Sequence, residues 1–426
     1  MDMKNGLKNV LLGSCLLLSG AIPVPVNAQK QHRLRPRPEM QALVTENLQA
    51  SVRQYNYLKQ QLKPDQWPRT FEKGMLQTVT PAAWTSGFYP GGLLYLYEFS
   101  RDQGLLNEAK AKLKKMEPLK TMTAHHDLGF MMYCSYGNAY RLFGRPEDKA
   151  ILVRSAQSLA RRFDPRVGCI QSWDQVKSLD GKRILKFPVI IDNMMNLELL
   201  FFASSVTGEP LYKDMAIKHA EMTMKNQVRP DFSCYHVVDY DVETGAVKSR
   251  ETQQGFSDNS AWSRGQAWGI YGFTMVYRET KDPRFLQTAT GMADFFLNHP
   301  NLPEDKVPYW DFNVGQAGFD PPWNFDPLKY QPVPRDASAA AITASALLEL
   351  AGYVDRKTGE RYQRAAETML QSLSSPAYRA ATGENGGFIL KHASGGVPGN
   401  IEVDVPLIYA DYYYLEALMR YRALKK

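Results

Sequence analysis

The stretch Asp192-Asn193-Met194-Met195-Asn196-Leu197-Glu198-Leu199-Leu200-Phe201-Phe202 decides the fold. A carboxylate heads an apolar run that lasts until Gly208. A helix without a polar stripe is one made for burial. The same arrangement recurs along the chain. His125-His126-Asp127-Leu128-Gly129-Phe130 heads a helix that closes at Gly144. Asp258 precedes an aromatic helix through Tyr277, Asp336 leads an Ala-rich one over 337–353, and Asp404 leads 405–421. With Trp84-Thr85-Ser86-Gly87-Phe88, six apolar segments begin near residues 84, 127, 192, 258, 336 and 404.

Helices with one polar face lie between them, over 38–62, 103–116, 147–163, 211–227, 284–297 and 360–373. The first interval between apolar segments is 43 residues and the next four are 65, 66, 78 and 68. Such regular pairing marks stacked helical hairpins. Six buried helices ringed by six outer ones give an all-α chain, an (α/α)6 barrel in a single domain over 29–426. Strand signals are confined to 235–248, whose alternation around Thr244-Gly245 predicts a hairpin.

The bulk numbers fit a globular chain of 426 residues, 44% hydrophobic and 22% charged. Residues 1–28 read as a signal peptide: Lys4 and Lys8, an apolar stretch over 10–22, then Val26-Asn27-Ala28 as a small-residue cleavage site. The mature protein is then exported and periplasmic. Leu12-Gly13-Ser14-Cys15 offers the alternative of a lipoprotein anchored through Cys15. No later run has the roughly 18 apolar residues of a membrane span. Cys134, Cys169 and Cys234 are too few for a disulfide scaffold, and Cys134, inside an apolar helix, reads as a buried thiol. The net charge of +7 is spread too thinly to argue for nucleic acid. His125, His126 and His236 lack zinc-motif spacing, and phosphate-loop and serine-elbow motifs are missing, so neither a metal nor a cofactor is expected.

In a ring of alternating helices the inner ones run the same way, so Asp127, Asp192, Asp258, Asp336 and Asp404 gather at one mouth. Asp is a preferred helix N-cap, and Asp258, Asp336 and Asp404 read best in that role. Asp127 and Asp192 differ in their neighbours: two histidines precede the first, and the apolar Pro188-Val189-Ile190-Ile191 precedes the second. Two such carboxyls side by side in a dry site share one proton, and one of them becomes a working acid. A further feature is Thr252-Gln253-Gln254, followed by Trp262-Ser263-Arg264-Gly265-Gln266-Ala267-Trp268. Arg264 and Trp268 share a helix face. A guanidinium among indoles suits a sugar ring bearing a carboxylate. The plain alternative is a core Trp pair with the Arg bound to an Asp. Gly265 argues mildly against it, as a residue that leaves room for something.

Together these residues resemble the unsaturated glucuronyl hydrolases of glycoside hydrolase family 88. The matching stretches are Trp84 to Phe88, His126 to Phe130 with Ser135-Tyr136-Gly137-Asn138, Ile191 to Asn196, Trp262 to Gly272 and Glu402 to Leu418. The resemblance implies an (α/α)6 barrel and a substrate with a 4,5-unsaturated uronic acid at its non-reducing end. It implies hydration of that double bond, with Asp192 as general acid and base and Asp127 as second essential carboxylate. Trp84 and Trp268 would stack on the sugar with Trp262 close by. His236, Thr252, Gln254 and Arg264 would surround the uronate, and His126 would also bind substrate. The loop Lys391-His392-Ala393-Ser394-Gly395-Gly396 would face the leaving sugar. The implied substrates are fragments of chondroitin, hyaluronan or heparin-type chains. One rival is an unsaturated rhamnogalacturonyl hydrolase of pectin breakdown; another is a catalytically silent sugar-binding barrel.

Overall fold

In the computed structural model, residues 34–322, 326 and 329–424 are described. The expected signal peptide and Cys15 lie outside them. The α-helices number twelve among these residues. Six are wholly or mostly apolar: α2 (Phe88–Ser100), α4 (Asn138–Phe143), α6 (Leu197–Thr207), α8 (Ser263–Thr280), α10 (Ala337–Leu350) and α12 (Ile408–Arg422). Six alternate with them: α1 (Pro38–Gln61), α3 (Gln103–Met116), α5 (Pro146–Ala160), α7 (Pro210–Asn226), α9 (Pro283–Asn298) and α11 (Arg356–Ser374). The inner helices contact one another in turn, α4 together with the π-helix Gly129–Gly137 that precedes it, and α12 returns to α2. The ring is closed, an (α/α)6 barrel as expected.

Apolar periodicity explains the layering. α10 buries all but one of its 14 residues, whereas α11 buries only one face, around Tyr362, Ala366, Met369 and Leu373. At the carboxylate mouth, Phe88, Phe130, Trp268, Tyr409 and Tyr413 pack ring on ring at 5.1–6.0 Å. Each buried ring contributes about 1.5–3 kcal/mol through lost water contact. Polar contacts then close the seam: the Tyr421 hydroxyl accepts from the Arg37 backbone N–H at 2.9 Å and donates to Glu367 at 2.6 Å.

Four expectations need correction. Strands are not confined to 235–248: among the described residues nine short ones form four small sheets, including Trp67–Glu72 paired with Met75–Val79. All nine are two to six residues long, too short for alternation to register. The expected hairpin is there (Val237–Tyr240 with Val247–Glu251), and Pro188–Ile190 joins it as a third strand. Asp192 and Asp127 do not sit directly on α-helices: Asp192 lies in the 3-10 segment Ile191–Asn196, and Asp127 precedes the π-helix. Of the supposed caps only Asp336 acts as one, accepting from the N–H groups of Ser338 and Ala339. Asp258 instead accepts from Thr252 N–H within a loop, and Asp404 pairs with His392 at 2.7 Å, four residues before α12 begins. Cys134 is half-buried rather than buried.

Candidate active site

Asp192 reaches the site on an apolar strand. Pro188–Ile190 is fixed edge to edge against Val237–Tyr240, and the Ile191 N–H donates to the His236 carbonyl at 3.0 Å. Asp192 is 8% exposed, and its Oδ2 accepts no hydrogen bond. Burial pushes its pKa up to about 7; the positive charge of Arg264 opposes that rise, the charge of Asp127 adds to it, and the Trp268 indole N–H opposes it. A carboxyl so placed carries its proton to neutral pH and can donate it there.

Asp127 has the contrary environment. Its oxygens lie 3.0 Å from His125 Nδ1 and 3.3 Å from His126 Nε2. Burial pushes its pKa up, but His126, His125 and Arg162 together outweigh this and hold it below the usual carboxylate range. Two carboxyls at one mouth are thus driven apart, the pattern that separates an acid from a charged partner. The hairpins carrying them touch directly. Asn196 accepts from the Phe130 N–H at 3.1 Å, and a side chain at Gly129 would stand 2.3 Å from Asn196 Cα. Only glycine allows that approach.

His236 stands over Asp192, its Nε2 3.7 Å from Oδ2. Its Nδ1 accepts from the backbone N–H of Gln253 at 3.0 Å and of Gln254 at 3.2 Å. The proton of the neutral ring must then sit on Nε2, facing Asp192. Burial, with the charge of Arg264, lowers the pKa of His236 to about 3, so the ring stays neutral. Thr252 supports this turn by accepting from Gly255 N–H at 2.7 Å.

Arg264 departs from expectation. Its terminal N–H groups go to Asp336 (3.0 Å), Gln254 (2.8 Å) and the carbonyls of Ser394 and Gly395, and its guanidinium lies 4.6 Å from the Trp262 ring. The fork expected to grip a sugar carboxylate is spent inside the protein. It latches the 391–396 loop to the site. Gly265 likewise leaves room for the protein's own Trp262, whose ring atom would lie 2.6 Å from an added Cβ. Trp268 is fully buried between Phe130 and Tyr413, so it offers no face for stacking; only its indole N–H edge approaches Asp192. Trp84 is half-buried against Tyr409 at 5.1 Å and keeps an open surface. Arg264→Lys should lower unfolding stability by about 2 kcal/mol in denaturant titration, because an ammonium cannot span four acceptors.

Several site residues went unread in the sequence. Asp336, read in sequence as a helix cap, also partners Arg264; Tyr409 lies 5.3 Å from the same guanidinium, and Trp173 stands edge-on to His126 at 6.4 Å. Asn196 reads in sequence as one more residue of the apolar helix. Among the described residues no group of three His, Cys, Asp or Glu side chains could hold a metal, and no helix is long and apolar enough to cross a membrane. A cavity of about 610 Å³ is lined by Glu98, Gly129, Arg141, Met195, Glu416 and Arg420 among others, and not by Asp127 or Asp192.

A closed helical ring with one deeply buried carboxyl and one histidine-paired carboxylate at its mouth fits the glycoside hydrolase class. The chain belongs to glycosyl hydrolase family 88, whose model matches residues 58–279. It is 44% identical over 349 residues, 81% of this chain and 82% of the other, to an unsaturated glucuronyl hydrolase of Formosa agariphila. It is 36% identical to an unsaturated chondroitin disaccharide hydrolase of Streptococcus pyogenes, over 79% of this chain and 81% of the other. The crystal structure of an unsaturated glucuronyl hydrolase specific for heparin superposes with a TM-score of 0.81 at 45% identity, covering 89% of this chain and 97% of that one.

Proposed function

We propose that this protein hydrates the 4,5 double bond of the unsaturated uronic acid at the non-reducing end of glycosaminoglycan fragments made by lyases. Asp192 donates a proton to C4 while water adds at C5; the hemiketal so formed collapses and releases the next sugar. Asp192 takes its proton back from the attacking water, so the acid is restored. Asp127 stays charged, which keeps the proton on Asp192. The half-buried Trp84 supplies the stacking surface. The single observation that carries this reading is the contrast between the buried, unpartnered oxygen of Asp192 and the histidine-paired carboxylate of Asp127. The names of the relatives, which span chondroitin and heparin substrates, support the choice of polymer.

The test is incubation with lyase-made disaccharides from chondroitin, hyaluronan, heparin and pectin, following loss of alkene absorbance. Turnover of the glycosaminoglycan products over the pectin product is expected. Turnover of the pectin product alone would favour the rhamnogalacturonyl reading, and binding without loss of the alkene would favour a silent barrel.

Export belongs to the same proposal, because residues 1–28 read as a signal peptide. Mass spectrometry of the protein from the periplasm should find a chain beginning at Gln29. A lipid-modified Cys15 at the N-terminus would establish the anchored alternative instead.

A further inference from the structure

One side-chain amide hydrogen-bonds both carboxylate hairpins beside the site. Asn196 is fully buried. Its Oδ1 accepts from the Phe130 N–H at 3.1 Å, which fixes the orientation of the side chain. Its Nδ2 therefore faces His126 Nδ1, at 3.3 Å. An amide nitrogen can only donate, so His126 Nδ1 must be an acceptor. The neutral ring then carries its proton on Nε2, which lies 3.3 Å from Asp127 Oδ1. We propose that Asn196 is a positioning residue for the reaction: it sets the tautomer of His126, and through it the donor that keeps Asp127 charged beside Asp192.

The proposal rests on more than one bond. Gly129 lets the Asn196 backbone come close enough for both contacts, since an added Cβ would meet Asn196 Cα at 2.3 Å and Oδ1 at 2.5 Å. Asn196 ends the segment that begins with Ile191 and Asp192, so the residue that orients one carboxylate's donor is carried by the other carboxylate's own turn. The groups facing this chain of contacts are few. His126 faces Asp127, His125 and Arg162, with Asn193 and the edge of Trp173 beside it. Asp127 faces His125, His126 and Arg162, and Asp192 faces Arg264, His236 and Asp127. Asn193 meets the ring as an acceptor, whereas Asn196 is the donor at Nδ1, so removing that donor frees the ring to place its proton on either nitrogen.

The kinetic consequence rests on the hydrolase reading above, while the tautomer does not, and the experiment measures both. Protein labelled with ¹⁵N-histidine is assigned at His126 by comparison with His126→Gln, and its long-range ¹⁵N–¹H spectrum distinguishes the tautomers. Wild type should show an unprotonated Nδ1 and a protonated Nε2. Asn196→Asp keeps the acceptor for Phe130 but removes the donor, so Nδ1 should become protonated. Its kcat on an unsaturated disaccharide should fall at least about tenfold, KM should change less, and the acid limb of the pH profile should move. Asn196→Ala should give a mixture of tautomers, which serves if the first variant does not fold. Wild-type His126 protonated on Nδ1, or either variant keeping the wild-type tautomer and pH profile, would overturn the proposal. A wild type that shows the Asn196-dependent tautomer but leaves the alkene intact would count against the hydrolase reading and leave this one standing.

Discussion

Replacing Asp192 by Asn should reduce turnover of an unsaturated disaccharide by a thousandfold or more, about 4 kcal/mol of barrier, while leaving the fold intact. Asn is nearly the shape of a protonated Asp, and Asp192 Oδ2 has no hydrogen bond to lose. The variant should also be more stable than wild type above neutral pH. In the folded protein burial holds the Asp192 proton up to about pH 7, whereas the unfolded chain releases it near 3.8. The folded state therefore binds more protons between these values, and stability falls as pH rises through them. Above pH 7 the full deficit remains, roughly a few kcal/mol. At pH 8 the unfolding midpoint of Asp192→Asn should exceed that of wild type, and near pH 4 the two should converge. A variant that loses activity and also stability at pH 8 would mean that the carboxyl is a structural strut.

Asp127→Asn should cost at least about a hundredfold in kcat, for a different reason. The charge at Asp127 helps to raise the pKa of Asp192. Neutralising it lets Asp192 ionise at lower pH, so less acid is available at neutrality. The alkaline limb of the residual pH–rate profile should therefore shift downward. His126 and His125 lose their carboxylate, but His126 is buried and remains neutral, so no compensating positive charge replaces it. Unchanged limbs with reduced kcat would assign Asp127 to substrate positioning alone.

The ring itself was legible because it is written in long periodic runs. Apolar segments such as 337–350 and amphipathic ones such as 356–374 differ in a way that burial alone imposes. The pairing of Asp127 with Asp192 was legible for a similar reason: both head buried segments, and a closed ring brings such heads to one mouth. Details set by chain-distant partners were not. Arg264 looks like a free anion receptor until Asp336, Ser394 and Gly395 arrive from the next hairpins and take its donors. Gly265 suggests a vacancy that the neighbouring Trp262 fills. Trp268 suggests a stacking platform, yet Phe130 and Tyr413 cover its faces. In each case the residue type was informative about chemistry, but its partner came from a part of the chain whose distance no local pattern encodes.

The most direct measurement is a pH titration of the side-chain carboxyl carbons in ¹³C-aspartate-labelled protein, with the Asp192 signal assigned by its loss in Asp192→Asn. One carboxyl should titrate near pH 7, vanish in that variant and move to lower pH in Asp127→Asn. An Asp192 that titrates near 4, indifferent to Asp127, would contradict the shared-proton site.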